Sequence, residues 1–240
     1  MEITLAIIGT AGRNDDAKRL TKQHFEAMCI VADGLIDQFG ENNYPITHLV
    51  SGGAAWADHV AVKLFLKKKV KHLRLFLPCK WDNGSYEDSG TDDFKTNPGR
   101  TLNKYHKAFQ NRTLIHSLSD IQSAKFEGAE LLPCRGGFYG RNAMVAKSDC
   151  LIAMTFGNKE EVKDGGTAHT VKCYLERVRK GEIYDKSFHY DLGRGEVFQG
   201  CVVPKETAEE ALLKKFKYGK LKLPGMSNSS NIIAVHSYPP

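Results

Sequence analysis

The chain has 240 residues, 41% of them hydrophobic and 26% charged, with 34 basic against 28 acidic side chains for a formal charge of +6. That balance fits one large globular domain, or one domain with an insertion, and excludes a disordered chain, a collagen and a coiled-coil rod. No apolar stretch approaches the roughly 18 residues that a membrane-spanning helix needs. The opening Met1–Gly9 run lacks a basic leader, so a first strand is expected there rather than a signal peptide.

Ile3–Ile8 is apolar and rich in β-branched residues and stops at Gly9, the pattern of a buried strand ending in a tight turn. Asp15 or Asp16 is placed to cap a helix with Met28, Val31, Ala32, Leu35 and Phe39 on one face, closed by Gly40. His48–Val50 predicts a second strand, ended by Ser51-Gly52-Gly53. A helix follows, with Ala57, Val60, Ala61, Leu64 and Phe65 inward, and then a third strand, Leu73–Leu77, stopped by Pro78. Residues 82–136 interrupt the alternation. They are polar and glycine-rich from Asp82 to Pro98 and helical from Arg100 to about Leu118, and are expected to form an inserted lid or binding loop near the strand ends. Cys150–Met154 is another apolar strand, and Gly165-Gly166-Thr167 opens a helix with Ala168, Val171, Leu175 and Val178 inward. Alternation of this kind implies an α/β fold: a doubly wound, mostly parallel sheet with helices on both faces, spanning residues 1–218. Strands are expected over Ile183–Tyr190 and Val197–Val203, and Thr207 with Glu210 makes a capping box. Residues 219–240 are dominated by Pro, Gly, Ser and Asn, as in an extended or disordered tail.

The basic residues crowd two stretches, Lys63 to Arg74 and Lys214 to Lys222. Neither has aromatics interleaved at a repeating spacing, so solvated helix ends are expected rather than a nucleic-acid patch. The six cysteines form no C-x-x-C pair, which fits a reducing, cytoplasmic compartment, and no ligand cluster for a metal is present.

Three glycine turns each follow a predicted strand and precede a predicted helix: Gly9-Thr10-Ala11-Gly12-Arg13, Ser51-Gly52-Gly53-Ala54 and Asp164-Gly165-Gly166-Thr167. In a parallel sheet all three fall on the carboxyl edge, where glycine lets backbone N–H groups approach an anion and the next helix start adds positive potential. The expectation is that they converge on one phosphate, with the hydroxyls of Thr10, Ser51 and Thr167 as further donors. Arg141 and Asn142, on a helix entering the Cys150 strand, are placed to reach the same edge; an arginine there can clamp a phosphate, or form a surface salt bridge. Trp81 with Tyr105 and His106 could wall a base, although a tryptophan just past a strand end also serves as a core plug.

Ile8-Gly9-Thr10-Ala11-Gly12-Arg13, Leu49-Val50-Ser51-Gly52-Gly53-Ala54-Ala55-Trp56-Ala57-Asp58, Phe76-Leu77-Pro78 with Trp81, Gly140-Arg141-Asn142-Ala143-Met144 with Ser148-Asp149-Cys150, and Gly165-Gly166-Thr167 occur in the order seen in the SLOG superfamily. That Rossmann-like group holds the DNA-processing protein A fold and the LOG phosphoribohydrolases, and the chain most resembles its YspA-like branch. The resemblance implies binding of a nucleotide or nucleotide derivative at the carboxyl edge, with a homodimer through helices as a further expectation. LOG-type hydrolases carry a glutamate after their glycine signature; the matching stretch here, Gly165-Gly166-Thr167-Ala168-His169-Thr170, has none. Asp58 and Asp164 remain as carboxylates for N-glycosidic hydrolysis, or as residues that tie down a turn and cap a helix. Nucleotide binding is the favoured expectation, with no cofactor, metal, membrane or nucleic-acid partner. A nucleoside-monophosphate hydrolase and a DNA-binding protein are the alternatives.

Overall fold

Strand β1 (Thr4–Gly9) is buried from both sides: Leu5 and Ile7 join one hydrophobic cluster, Ala6 and Ile8 another. A strand without a polar face can only lie inside a sheet covered by helices on each side, and that is its position. A computed structural model describes residues 3–163 and 165–203. After β1 come a short α1 (Asp16–Arg19), α2 (Lys22–Glu41), β2 (His48–Ser51), α3 (Ala57–Leu66) and β3 (His72–Leu77). The hairpin β4 (Trp81–Asp82) and β5 (Ser85–Tyr86) leads to α4 (Pro98–Thr113), α5 (Ser117–Phe126) and β6 (Glu130–Pro133). The chain ends its described part with α6 (Gly137–Val145), β7 (Cys150–Thr155), α7 (Gly166–Arg179), β8 (Ser187–Asp191) and β9 (Glu196–Gln199).

The seven-stranded sheet has the order β6-β3-β2-β1-β7-β8-β9 and is parallel except for β9, which turns back antiparallel on β8. One face is covered by α2, α3, α4 and α5, the other by α6 and α7. The expected α/β sheet with helices on both faces is therefore present. Among the described residues no helix is long and apolar enough to cross a membrane.

Several boundaries differ from expectation. Asp16 does not start the long helix: the chain breaks at Leu20, and Thr21 caps α2 through a reciprocal pair of bonds with His24. Gly40 does not close α2, which continues to Glu41 and caps on Asn42. The expected single helix from Arg100 starts instead at Pro98, capped by the Asn97 side chain, and breaks at Leu114, whose φ of 62° is left-handed. Residues 82–136 are not merely a lid. They add strand β6 beside β3, and α5 docks on α3, where Asp120 receives both His59 and Lys63. The strand expected from Ile183 begins at Ser187, and that expected over Val197–Val203 spans Glu196–Gln199. The expected Thr207–Glu210 helix start, the second lysine cluster and the 219–240 tail lie outside the described residues.

The first basic stretch is largely neutralised. Lys63 faces Asp120, Lys68 faces Glu127, Lys69 bridges Asp33 and Asp37 at 2.8 Å each, and Arg74 pairs with Glu130 at 2.9 Å. These pairs link α3, β3 and their neighbours.

At the end of β1, Gly9 allows an approach that no side chain permits. A Cβ there would stand 2.1 Å from the Met154 carbonyl oxygen and 2.7 Å from Ala57 Cβ. Gly9→Ala is expected to destabilise the fold by about 3 kcal/mol through overpacking. Gly34→Ala, on the exposed side of α2 where nothing lies within 4 Å of the new methyl, should stabilise it by about 0.5–1 kcal/mol. Urea unfolding of the two variants should show midpoints shifted in opposite directions.

Candidate functional site

Strands β1 and β7 lie side by side and parallel, with Gly9 opposite Met154. From β1 the chain proceeds to β2 on one side, and from β7 to β8 on the other. Diverging connections leave a crevice at the carboxyl ends, the place where open α/β sheets accommodate ligands. A cavity of about 200 Å³ opens there, lined by Gly9, Thr10, Arg13, Asp58, Arg141 and the start of α7, and also by Asp16, Thr155 and Lys163.

The first and third glycine turns both border this cavity, through Gly9 and Thr10 and through Gly165, Gly166 and Thr167. The start of α7 has no side-chain cap. Such a helix end carries partial positive charge and favours an anion. The second turn borders the cavity through Ala54 alone. Neither Gly52 nor Gly53 lines it, and the Ala54 N–H donates to Asp58 Oδ2 at 3.1 Å instead of facing outward. Gly12 also lies behind the lining, packed against the Trp56 indole.

The hydroxyls expected as ligand donors are engaged within the protein. Ser51 Oγ donates to the Ile7 carbonyl at 2.6 Å, Thr10 Oγ1 to Asp16 Oδ2 at 2.6 Å, and Thr167 Oγ1 to the Gly9 carbonyl at 2.9 Å. They fix the strand ends in place of pointing protons into the cavity. Asn142 is likewise a brace: its Nδ2 donates to the Gly166 carbonyl at 3.1 Å and its Oδ1 accepts Arg141 Nε at 3.1 Å.

Arg141 reaches the edge as expected, and it does so through Gly52. A Cβ on Gly52 would be 2.3 Å from Arg141 Cζ, so only glycine lets the guanidinium lie flat against the turn. There Arg141 donates to the Gly52 carbonyl at 3.1 Å and approaches Asp58 at 3.5 Å. Asp58 is buried. Burial pushes its carboxyl upward, while Arg141 and the Ala54 N–H hold it down. Lys163 pairs with Asp16, whose other oxygen accepts Thr10. Each cavity carboxylate thus has a cation. Among the described residues Arg13 alone of the lining cations has no carboxylate within ion-pair distance; its guanidinium sits 5.5 Å from the ring centroids of both Tyr105 and Phe138.

Trp81 does not line the cavity. Its indole N–H donates to Gln122 at 2.8 Å and its ring packs edge-on to Tyr86. His106 is buried: its Nε2–H donates to the Gly53 carbonyl at 3.0 Å, and its Nδ1 accepts from Ser117 at 2.8 Å. The Tyr86 hydroxyl donates to the same carbonyl. Residues 82–136 therefore hold the second glycine turn from behind. Asp164 lies outside the described residues. His169 does not line the cavity; among the described residues its buried Nδ1 has no partner, and its ring meets Tyr139 edge-on.

Asp16, Thr155 and Lys163 escaped the sequence reading as site residues, as did Tyr86 as a support. Lys163 directly precedes the third turn and Thr155 ends an apolar run, which are the local signals that could have placed them. Among the described residues no cluster of His, Cys, Asp or Glu could hold a metal ion.

No family model matches the sequence. The uncharacterized protein R261 of Acanthamoeba polyphaga mimivirus is 37% identical over 171 residues, covering 70% of this chain and 89% of that protein. The chain belongs to the same family as that viral protein. The similarity extends over most of both chains and so includes the greater part of the described sheet.

His106 provides a pH test of the support behind the Gly53 turn. Burial lowers its pKa from 6.5 to about 3. The unfolded chain therefore binds a proton here between pH 6.5 and about 3 that the folded one refuses, so the contribution is complete above pH 6.5 and is lost on acidification. In that window His106→Gln should flatten the dependence of unfolding free energy on pH by about 1.4 kcal/mol per unit, as followed by urea denaturation at a series of pH values.

Proposed function

We propose that this protein binds a nucleotide or nucleotide derivative, with the phosphate at the carboxyl edge of the sheet between β1 and β7. The observation that carries the reading is the start of α7, whose N-cap Gly165 has no side chain to cap it, together with Arg13, a lining cation that among the described residues has no carboxylate within ion-pair distance, around one cavity. Asp58 and Asp16 are offset by Arg141 and Lys163, so Arg13 and the helix end supply the excess positive potential. A phosphate oxygen suits both, since guanidinium and helix amides donate charge-assisted hydrogen bonds. The ordered motifs shared with the SLOG superfamily support the same ligand class.

A second reading, cleavage of the N-glycosidic bond of a nucleoside 5'-monophosphate, is favoured by Asp58, a buried cavity carboxylate whose proton affinity burial raises. Its bonds to Ala54 and Arg141 equally suit a structural anchor for the turn, so binding stands as the conclusion.

Titration calorimetry with AMP should give saturable binding that Arg13→Gln weakens about tenfold or more, while unfolding free energy changes by less than about 0.5 kcal/mol. Equal affinity in the two proteins would remove Arg13 from the site. Incubation with a panel of ribonucleotides and deoxyribonucleotides should release no free base; release that Asp58→Asn abolishes would establish the hydrolase instead.

A further inference from the structure

At the mouth of the cavity Arg13 is held against two rings: its guanidinium carbon lies 5.5 Å from the centroid of Tyr105, on α4, and 5.5 Å from that of Phe138, on α6. Arg141 Cζ lies 5.7 Å from the same Phe138 ring. Tyr105 and Phe138 are each only partly buried, unlike the aromatic residues of the core. Two partly buried rings, packed against the core on one side and gathered around a guanidinium, make a π-rich platform at the boundary with solvent, where such contacts are worth less than in the interior. Neither ring lines the cavity of about 200 Å³ that Arg13 borders, so a base stacked on them lies outside it.

Resting on the nucleotide reading, we infer that Tyr105, Arg13 and Phe138 form a stacking subsite for the base of a mononucleotide whose sugar-phosphate part enters the cavity. The two aromatic rings and the guanidinium offer flat surfaces for stacking. Recognition by stacking tolerates any base, because each has a π-face, and it follows ring area. Purine nucleotides therefore bind more tightly than pyrimidine ones, and both bind more tightly than the sugar phosphate alone. Arg13 serves both parts, with its plane against the base and its N–H groups toward the phosphate. Trp81, bonded to Gln122, takes no part.

The test compares AMP, CMP and ribose 5-phosphate by titration calorimetry on the wild-type chain and on Tyr105→Leu and Phe138→Leu, which keep an apolar side chain of similar size. Wild type is expected to bind AMP about tenfold or more tighter than ribose 5-phosphate, with CMP between them. Each variant is expected to lose about five- to tenfold for AMP and to keep its ribose 5-phosphate affinity. Thermal unfolding confirms that the variants are folded; should one not be, Tyr105→Phe, which keeps the ring, is expected to retain AMP affinity within about twofold. Equal binding of AMP and ribose 5-phosphate by wild type would overturn the base subsite and leave phosphate binding standing. Equal losses for both ligands, or no loss for either, would also overturn it. If wild type binds none of the three, the nucleotide reading itself fails and the subsite with it.

Discussion

The arrangement rests on the contact between the end of β1 and the end of β7. Gly9 lies against the Met154 carbonyl and Ala57, the Thr10 N–H donates to that carbonyl at 2.9 Å, and the Thr167 hydroxyl closes on Gly9 from the other side. One chain leaves toward β2 and the other toward β8, and the gap between them is where the cavity opens.

A second layer of order comes from a segment that is not part of the alternating pattern. Tyr86 and His106 both donate to the Gly53 carbonyl, so the β2–α3 turn is held from outside the sheet as well as by its own bonds. That turn presents Asp58 and, through Gly52, receives Arg141. The consequence is a division of labour among the glycine corners: glycines of the first and third line the cavity, while the second reaches it only through Ala54 and aligns the Asp58–Arg141 pair in its wall. The left-handed backbone of Trp56 (φ 62°) at the start of α3 marks the same turn as strained, a conformation that a bulky residue keeps only where packing enforces it.

The central elements were legible because they carry strong local signals. β1, β2, β3 and β7 are apolar runs ended by glycine, serine, proline or threonine, and α3 and α7 follow glycine turns with clear periodicity. What escaped lacks such signals. β6 is a four-residue edge strand, half-exposed, containing Glu130 and ending at Pro133, so it shows neither alternation nor an apolar run. The break between α4 and α5 falls at Leu114, a residue with no turn preference, in place of a glycine or proline. The α2 start depends on His24 acting where a capping box usually has an acidic or amide side chain. Arg141 was expected near this edge from its position before a strand, yet its approach to Gly52 is a contact over 89 residues that no local pattern encodes. Which hydroxyls face inward, and that His106 is buried behind a carbonyl, follow from tertiary packing alone.

The two borders of the sheet carry a last consequence. On one side, β6 is short and contains a proline, which removes an amide donor from the ladder; on the other, β9 folds back, and Val202 pairs beyond it with the loop around Glu161 and Val162. Unpaired ribbons invite templated growth into fibrils, and both margins here are poor templates. The fold thus shields itself from runaway polymerisation at its rims, and leaves helical surfaces as the natural ground for any contact with another molecule.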